Sequence, residues 1–219
     1  MIRICPSILN ANFDALPEEI AKVAGEADLL HLDVMDNVFV PNFTFDLERS
    51  IEIISQSTLP VDVHLMVADV DTKATAYAIE NTASITIHFE ACRDPIATLR
   101  SIRREGKRAG LAIKPLTSFE QVAEMSDEFD MLLIMTVEPG FGGQSFMESM
   151  MPKVREARQW LSENGLPDTW IQVDGGISLS TIKTAFEAGA DTFVAGSAVY
   201  KSEDPAGMIR ALREAVIDK

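Results

Sequence analysis

The feature that most constrains this chain is an alternation repeated about eight times: a short apolar run rich in β-branched residues, then a longer stretch with helix-like amphipathic spacing. The runs fall near residues 2–5, 28–33, 61–66, 84–88, 109–113, 130–135, 170–174 and 191–195. The helix-like stretches lie between and after them, near 15–25, 46–56, 71–80, 94–105, 118–125, 149–164, 178–188 and 205–217. Strands spaced this way pair in parallel, because a parallel neighbour is reached only by a long crossover, and a helix is the usual one. Eight such units make either a closed barrel or an open parallel sheet. The first run is followed by Pro6-Ser7-Ile8-Leu9-Asn10, not by the glycine fingerprint that opens many doubly wound sheets. The expected class is therefore α/β, a (β/α)8 TIM barrel. No linker or composition break divides the 219 residues, so 1–219 is expected to be a single domain. Asp94-Pro95 and Asp204-Pro205 read as helix starts, and Gly106 and Gly189 as helix C-caps.

In such a barrel every βα loop opens on the same face, so residues far apart in sequence meet at the C-terminal ends of the strands. Three runs end in acids or imidazoles: His31-Leu32-Asp33, Asp62-Val63-His64, and Val173-Asp174 before Gly175-Gly176. Residues two apart on a strand share a face, so His31 and Asp33 can reach one ion. A lone strand-end His is more often structural than a ligand. Here two of the chain's 3 His sit beside carboxylates in matching contexts. His31, Asp33, His64 and Asp174 form a mixed N/O set suited to one divalent ion, with Zn2+ favoured and Fe2+ or Mn2+ as alternatives. Asp62 either orients an imidazole or is an ordinary polar residue of the barrel. Asp36 belongs to the following loop, His88 is expected as a polar lining residue, and Lys114, followed by Pro115, reads equally as a loop residue and as a reactive amine.

Glycines gather after the sixth, seventh and eighth runs: Gly140-Phe141-Gly142-Gly143, Gly175-Gly176, and Gly196-Ser197, the last expected to open the final helical segment. One such loop is simply a tight turn. Three converging at one corner suggest a phosphate cup built from backbone N–H groups. No nucleotide-binding fingerprint occurs, so the phosphate is assigned to a small substrate. A net charge of −15 argues against nucleic acid or an anionic membrane as partner. Cys5 and Cys92 do not form a disulfide framework or a metal-binding CxxC pair. With no secretory signal in Met1-Ile2-Arg3-Ile4 and no apolar run of membrane-spanning length, the expected location is cytoplasmic.

The strings Pro6-Ser7-Ile8-Leu9, His31-Leu-Asp33-Val-Met35-Asp36, Phe39-Val-Pro-Asn42, Asp62-Val-His64-Leu-Met66, Met135-Thr-Val-Glu-Pro-Gly-Phe-Gly-Gly-Gln144, Val173-Asp174-Gly-Gly-Ile177 and Ala195-Gly196-Ser197-Ala closely resemble the ribulose-phosphate 3-epimerase family, in order through nearly the whole chain. The resemblance implies interconversion of D-ribulose 5-phosphate and D-xylulose 5-phosphate in the pentose phosphate route. It implies one divalent ion per subunit on His31, Asp33, His64 and Asp174, chelating the substrate's C2 and C3 oxygens. Asp33 would be the proton acceptor and Asp174 the donor, through a cis-enediolate. Ser7 and His64 would touch substrate, and Gly140, Phe141, Gly142, Gly143, Gly175, Gly176, Gly196 and Ser197, with Asp174, would complete the binding site. Met35, Met66 and Met135 would pack on the enediolate; without the resemblance they read as core filler. Similar proteins are homo-oligomers, dimers or hexamers. The chain departs from the family where Asn37-Val38 replaces the usual Gly-His and where Asp46 replaces a frequent Gly. A 3-epimerase of a six-carbon ketose phosphate would share every one of these residues, and a non-catalytic phosphosugar-binding barrel would have no need of paired acids.

Overall fold

The computed structural model describes residues 2–217. Eight parallel strands form one sheet: β1 (Arg3–Pro6), β2 (Leu30–Met35), β3 (Val61–Met66), β4 (Thr82–His88), β5 (Arg108–Ile113), β6 (Met131–Met135), β7 (Trp170–Asp174) and β8 (Thr192–Ala195). Ladders run continuously from β2 through β8 to β1. The seam between β1 and β2 closes by a bridge between Ser7 and His31, and by Asp28, whose N–H donates to the Ile4 carbonyl and whose carboxylate accepts from the Ile4 N–H at 2.8 Å. The chain is a (β/α)8 barrel.

Around it lie α1 (Leu16–Ala21), α2 (Leu47–Gln56), α3 (Val70–Lys73), α4 (Pro95–Arg104), α5 (Glu120–Ala123), α6 (Met151–Glu163), α7 (Ile182–Glu187), α8 (Ser197–Tyr200) and α9 (Pro205–Ile217). Local chemistry sets several of their ends. Asp94 caps α4 by accepting from the Ala97 N–H, with Pro95 supplying the fixed φ of the first helical position. Asp46, one of the departures from the family pattern, caps α2 through the Arg49 N–H. Four helical stretches are shorter than their periodicity predicts. The one near 71–80 splits into α3 and a 3-10 turn at Ala74–Tyr77; those near 15–25, 118–125 and 178–188 shrink to α1, α5 and α7. Gly196-Ser197 opens the separate short helix α8 rather than the final one, which starts at Pro205. Crossovers need only span strand to strand, so short helices suffice where loops pack over the barrel rim.

The apolar core lies between sheet and helices. Outward-facing Leu30, Leu32, Val61, Val63, Ile85, Leu111, Ile134, Val173 and Phe193 meet Ile54, Leu99, Ile102, Val154, Leu161, Ile182 and Leu212 in one fully buried cluster. The inward face is different. Asp62, Ser84, Thr86, Gln172 and Thr192 fill the middle of the lumen with no solvent exposure. At its N-terminal end the guanidinium carbons of Arg3 and Arg108 each stand 3.5 Å from the ring centroid of Trp170. Two-sided burial normally makes parallel strands continuously apolar. The alternation in these strands records a polar lumen, and that lumen leads to the site.

Candidate metal and active site

β2 and β3 build half of the site by register alone. Asp33 pairs with His64, His31 with Asp62, and Met35 with Met66, so six inward side chains stack in three rows. β7 brings Asp174 at its last position, beside Met135 of β6. Four ligand atoms converge: His31 Nε2, Asp33 Oδ1, His64 Nδ1 and Asp174 Oδ2. His31 Nε2 lies 3.4 Å from Asp33 Oδ1, 3.4 Å from His64 Nδ1 and 4.0 Å from Asp174 Oδ2. His64 Nδ1 lies 3.1 Å from Asp33 Oδ1 and 3.6 Å from Asp174 Oδ2. Donors about 2.0–2.1 Å from a tetrahedral ion stand roughly 3.3–3.4 Å apart. The cluster fits a divalent metal in size and in donor chemistry, and together these four residues could hold one.

The electrostatics of the cluster pull its two acids in opposite directions. Burial opposes ionisation of Asp33, but the charges and hydrogen bonds of His31 and His64 overcome it and hold the carboxyl far below its usual range. Burial and the charge of Asp33 push Asp174 the other way, up to about 6. Burial also disfavours the His31 imidazolium, yet Asp33 and Asp62 hold that imidazole well above its ordinary value. Two acids in one pocket are thus driven apart, Asp33 ionised throughout and Asp174 taking up a proton only below neutrality, near pH 6.

Asp62 orients an imidazole, the first of the two readings of its sequence position. Its Oδ2 lies 2.8 Å from His31 Nδ1 and accepts from Gln172 Nε2 at 2.7 Å, while Oδ1 accepts from Ser84 Oγ at 2.6 Å. A carboxylate so placed fixes the tautomer and the direction of the ring. His88 departs from expectation: it does not line the cavity but sits fully buried behind His64, with Nε2 atoms 2.9 Å apart. Burial keeps it neutral, pushed down to about 4. Lys114 stands over the Phe39 ring, Nζ 3.9 Å from its centroid, and is a loop residue outside the cavity wall.

Above the cluster opens a cleft of about 500 Å³, mouth included. Ser7, Asp33, Asp174 and the three methionines Met35, Met66 and Met135 line its floor, and Ser7 Oγ donates to Asp33 Oδ2 at 2.5 Å. Gly140, Phe141, Gly142, Gly143, Gly175, Gly176, Gly196 and Ser197 form its wall. His31 and His64 lie beneath, fully buried. Gly176 holds φ +68, and a Cβ there would run into the Phe146 backbone nitrogen; only glycine lets those two backbones approach. Gln144 Nε2 pins the β6 loop through the Glu138 and Phe141 carbonyls, and Asn42 Nδ2 ties the β2 loop to it through the Gly140 carbonyl, all within 2.8 Å. Asp36 serves the β2 loop, accepting from Val38, Phe39 and Ala68. Asn10, not singled out in the sequence, also lines the cleft, wedged where side chains on Gly142 and Gly196 would otherwise fall. Its only signal was its place after Ser7, and the turn that lifts it to the cleft was not legible.

Barrels of this kind do their chemistry at the C-terminal ends of their strands, and the paired acids there mark this one as an enzyme. The chain belongs to the ribulose-phosphate 3-epimerase family and is an isomerase. The family's model matches residues 3–200. The ribulose-phosphate 3-epimerase of Mycobacterium bovis is 45% identical over 210 residues, covering 96% of this chain and 91% of that protein. That of Bacillus subtilis is 41% identical over 215 residues, covering 97% and 99%. Among solved structures, a ligand complex of KGPDC from Streptococcus mutans superposes with a TM-score of 0.74 at 18% identity, covering 98% of this chain and 97% of that one, a likeness of fold. Among the described residues no helix is long and apolar enough to cross a membrane.

Proposed function

We propose that the protein interconverts D-ribulose 5-phosphate and D-xylulose 5-phosphate by moving a proton at C3 between two carboxylates. The observation that carries this reading is the opposed pair: Asp33 from β2 and Asp174 from β7 reach one cluster alongside His31 and His64. A divalent ion bound by His31, Asp33, His64 and Asp174, Zn2+ before Fe2+ or Mn2+ for this donor set, would supply Lewis acidity toward the substrate's C2 carbonyl and C3 hydroxyl oxygens. Asp33 takes the C3 proton on one face of the carbon. Asp174 delivers its own proton to the other face of the resulting cis-enediolate, inverting C3, and the roles exchange in the reverse direction. Ser7 donates to Asp33 Oδ2, the carboxylate oxygen that the ligand cluster does not use. Met35, Met66 and Met135 keep water from the planar intermediate. No Lys or Arg stands among the cleft-lining residues, so the phosphate is held by the backbone N–H groups of the glycine loops and by Ser197.

The test is solvent deuterium entering C3 of ribulose 5-phosphate. Exchange that disappears on metal removal and returns on reloading supports the proposal, and no exchange by the metal-loaded protein sinks it. Asp174→Asn should cut turnover by about 10²–10⁴-fold while sugar-phosphate binding persists. Comparing kcat/KM for ribulose 5-phosphate and for a six-carbon ketose phosphate fixes the chain length preferred.

A further inference from the structure

His64 presents Nδ1 to the ligand cluster, so its other ring nitrogen faces away, 2.9 Å from Nε2 of His88. His88 turns its own Nδ1 to Glu90 Oε2 at 3.3 Å. Glu90 is anchored by its second oxygen, which accepts from the Lys114 N–H at 2.7 Å and from Thr117 Oγ1 at 2.5 Å. Phe39 closes over His88 with ring centroids 4.9 Å apart, and Lys114 covers Phe39 in turn.

Counting donors assigns every proton in this row. A metal takes the lone pair of His64 Nδ1, so the His64 proton sits on Nε2 and must be donated. His88 Nε2 is the group that receives it, which leaves the His88 proton on Nδ1, directed at a carboxylate that can only accept. His31 is held by Asp62 directly; His64 is held by a carboxylate one imidazole further out.

We infer that His88 and Glu90 are positioning residues that fix the metal-binding tautomer of His64, so that Glu90, distant from the ion, sets the affinity of the site for it. This rests on the reading of His31, Asp33, His64 and Asp174 as a metal site. Replacing Glu90 by Gln puts an N–H₂ within reach of His88 Nδ1. The His88 proton is then drawn to Nε2, where it opposes the His64 proton and favours the His64 tautomer that carries hydrogen on Nδ1, the atom the metal needs bare. Replacing His88 by Gln instead places a carboxamide oxygen where Nε2 stood and preserves an acceptor for His64.

The experiment strips the protein of metal and measures Zn2+ and Mn2+ affinity by competition with a chromophoric chelator, for wild type, Glu90→Gln, His88→Ala and His88→Gln, with 15N-imidazole NMR of the Zn2+-loaded proteins reporting the His88 tautomer. Expected is a 10–100-fold weakening in Glu90→Gln and His88→Ala, recovery to within about fivefold of wild type in His88→Gln, and a shift of the His88 proton from Nδ1 toward Nε2 in Glu90→Gln. If His88→Ala does not fold, the Glu90→Gln and His88→Gln pair decides. Wild-type binding of both ions with Glu90→Gln unchanged within threefold overturns the inference alone. Failure of wild type to bind either ion overturns the metal site and the inference with it.

Discussion

Asn37 shows how a single residue can depart from a family pattern without disturbing the site. It holds φ 56, in the left-handed region that asparagine tolerates better than other side-chain-bearing residues, so the turn holds without a glycine. Val38 beside it is 75% exposed and leaves the ligands untouched. Gly176 has no such latitude. Its φ of +68 and the Phe146 backbone against a would-be Cβ leave nothing flexible to yield. Gly176→Ala should lose about 1–3 kcal/mol of stability in denaturant titration and raise KM for the sugar phosphate. At this scale the four candidate ligands were legible because residue type and spacing of two on a strand are local properties. Asp62 and His88 were not separable by that means: both are polar, inward-facing strand residues, and only their neighbours across the lumen distinguish an orienting carboxylate from the imidazole behind a ligand.

Helix caps and strand-end turns carry the stability that is local to single elements. Asp46 accepts from the Arg49 N–H at 2.8 Å at the start of α2, so Asp46→Ala should destabilise the fold by about 0.5–2 kcal/mol in thermal or chemical unfolding. Glu90, in the turn after β4, contributes a pH-dependent share. Burial opposes its charge, but hydrogen bonds from His88, Thr117 and the Lys114 N–H outweigh it and push the carboxyl down to about 2 from an ordinary 4.5. A carboxyl depressed by folding stabilises above its unfolded value, and that stabilisation drains away as pH falls from about 4.5 toward 2. Glu90→Gln should therefore flatten the stability curve over this window, as read by urea midpoints at each pH. Helix existence was readable from period and punctuation. Helix length near 15–25, 71–80, 118–125 and 178–188 was not, because packing over the barrel rim decides where an amphipathic stretch stops being helical.

The whole barrel is closed partly by contacts that have no ladder behind them. β1 and β2 meet at the Ser7–His31 bridge and through Asp28, which also accepts from Arg213 of α9 at 2.8 Å. The ligand cluster lies on the same seam: β2, β3 and β7 supply its four residues, so an ion bound there clips strands from both sides of the closure. Metal at one hundred times its Kd adds about 2.7 kcal/mol to the folded state, and for a domain of this size its removal should lower Tm by roughly 5–10 °C in calorimetry. An unchanged Tm after exhaustive chelation would show that the ion does not bind the folded state preferentially. The sequence by itself determined the eight βα units, the class of barrel, and which strand ends carry ligand-type side chains, because hydrophobic period and residue chemistry are written in neighbouring positions. Only the tertiary structure decided the register that sets Asp33 beside His64, the closure that carries Asp174 of β7 across to β2, and the rank of Asp62, His88 and Glu90 behind the ligands. Backbone ladders are nearly indifferent to sequence, so the height of each lumen side chain is fixed by pairing among strands far apart in the chain.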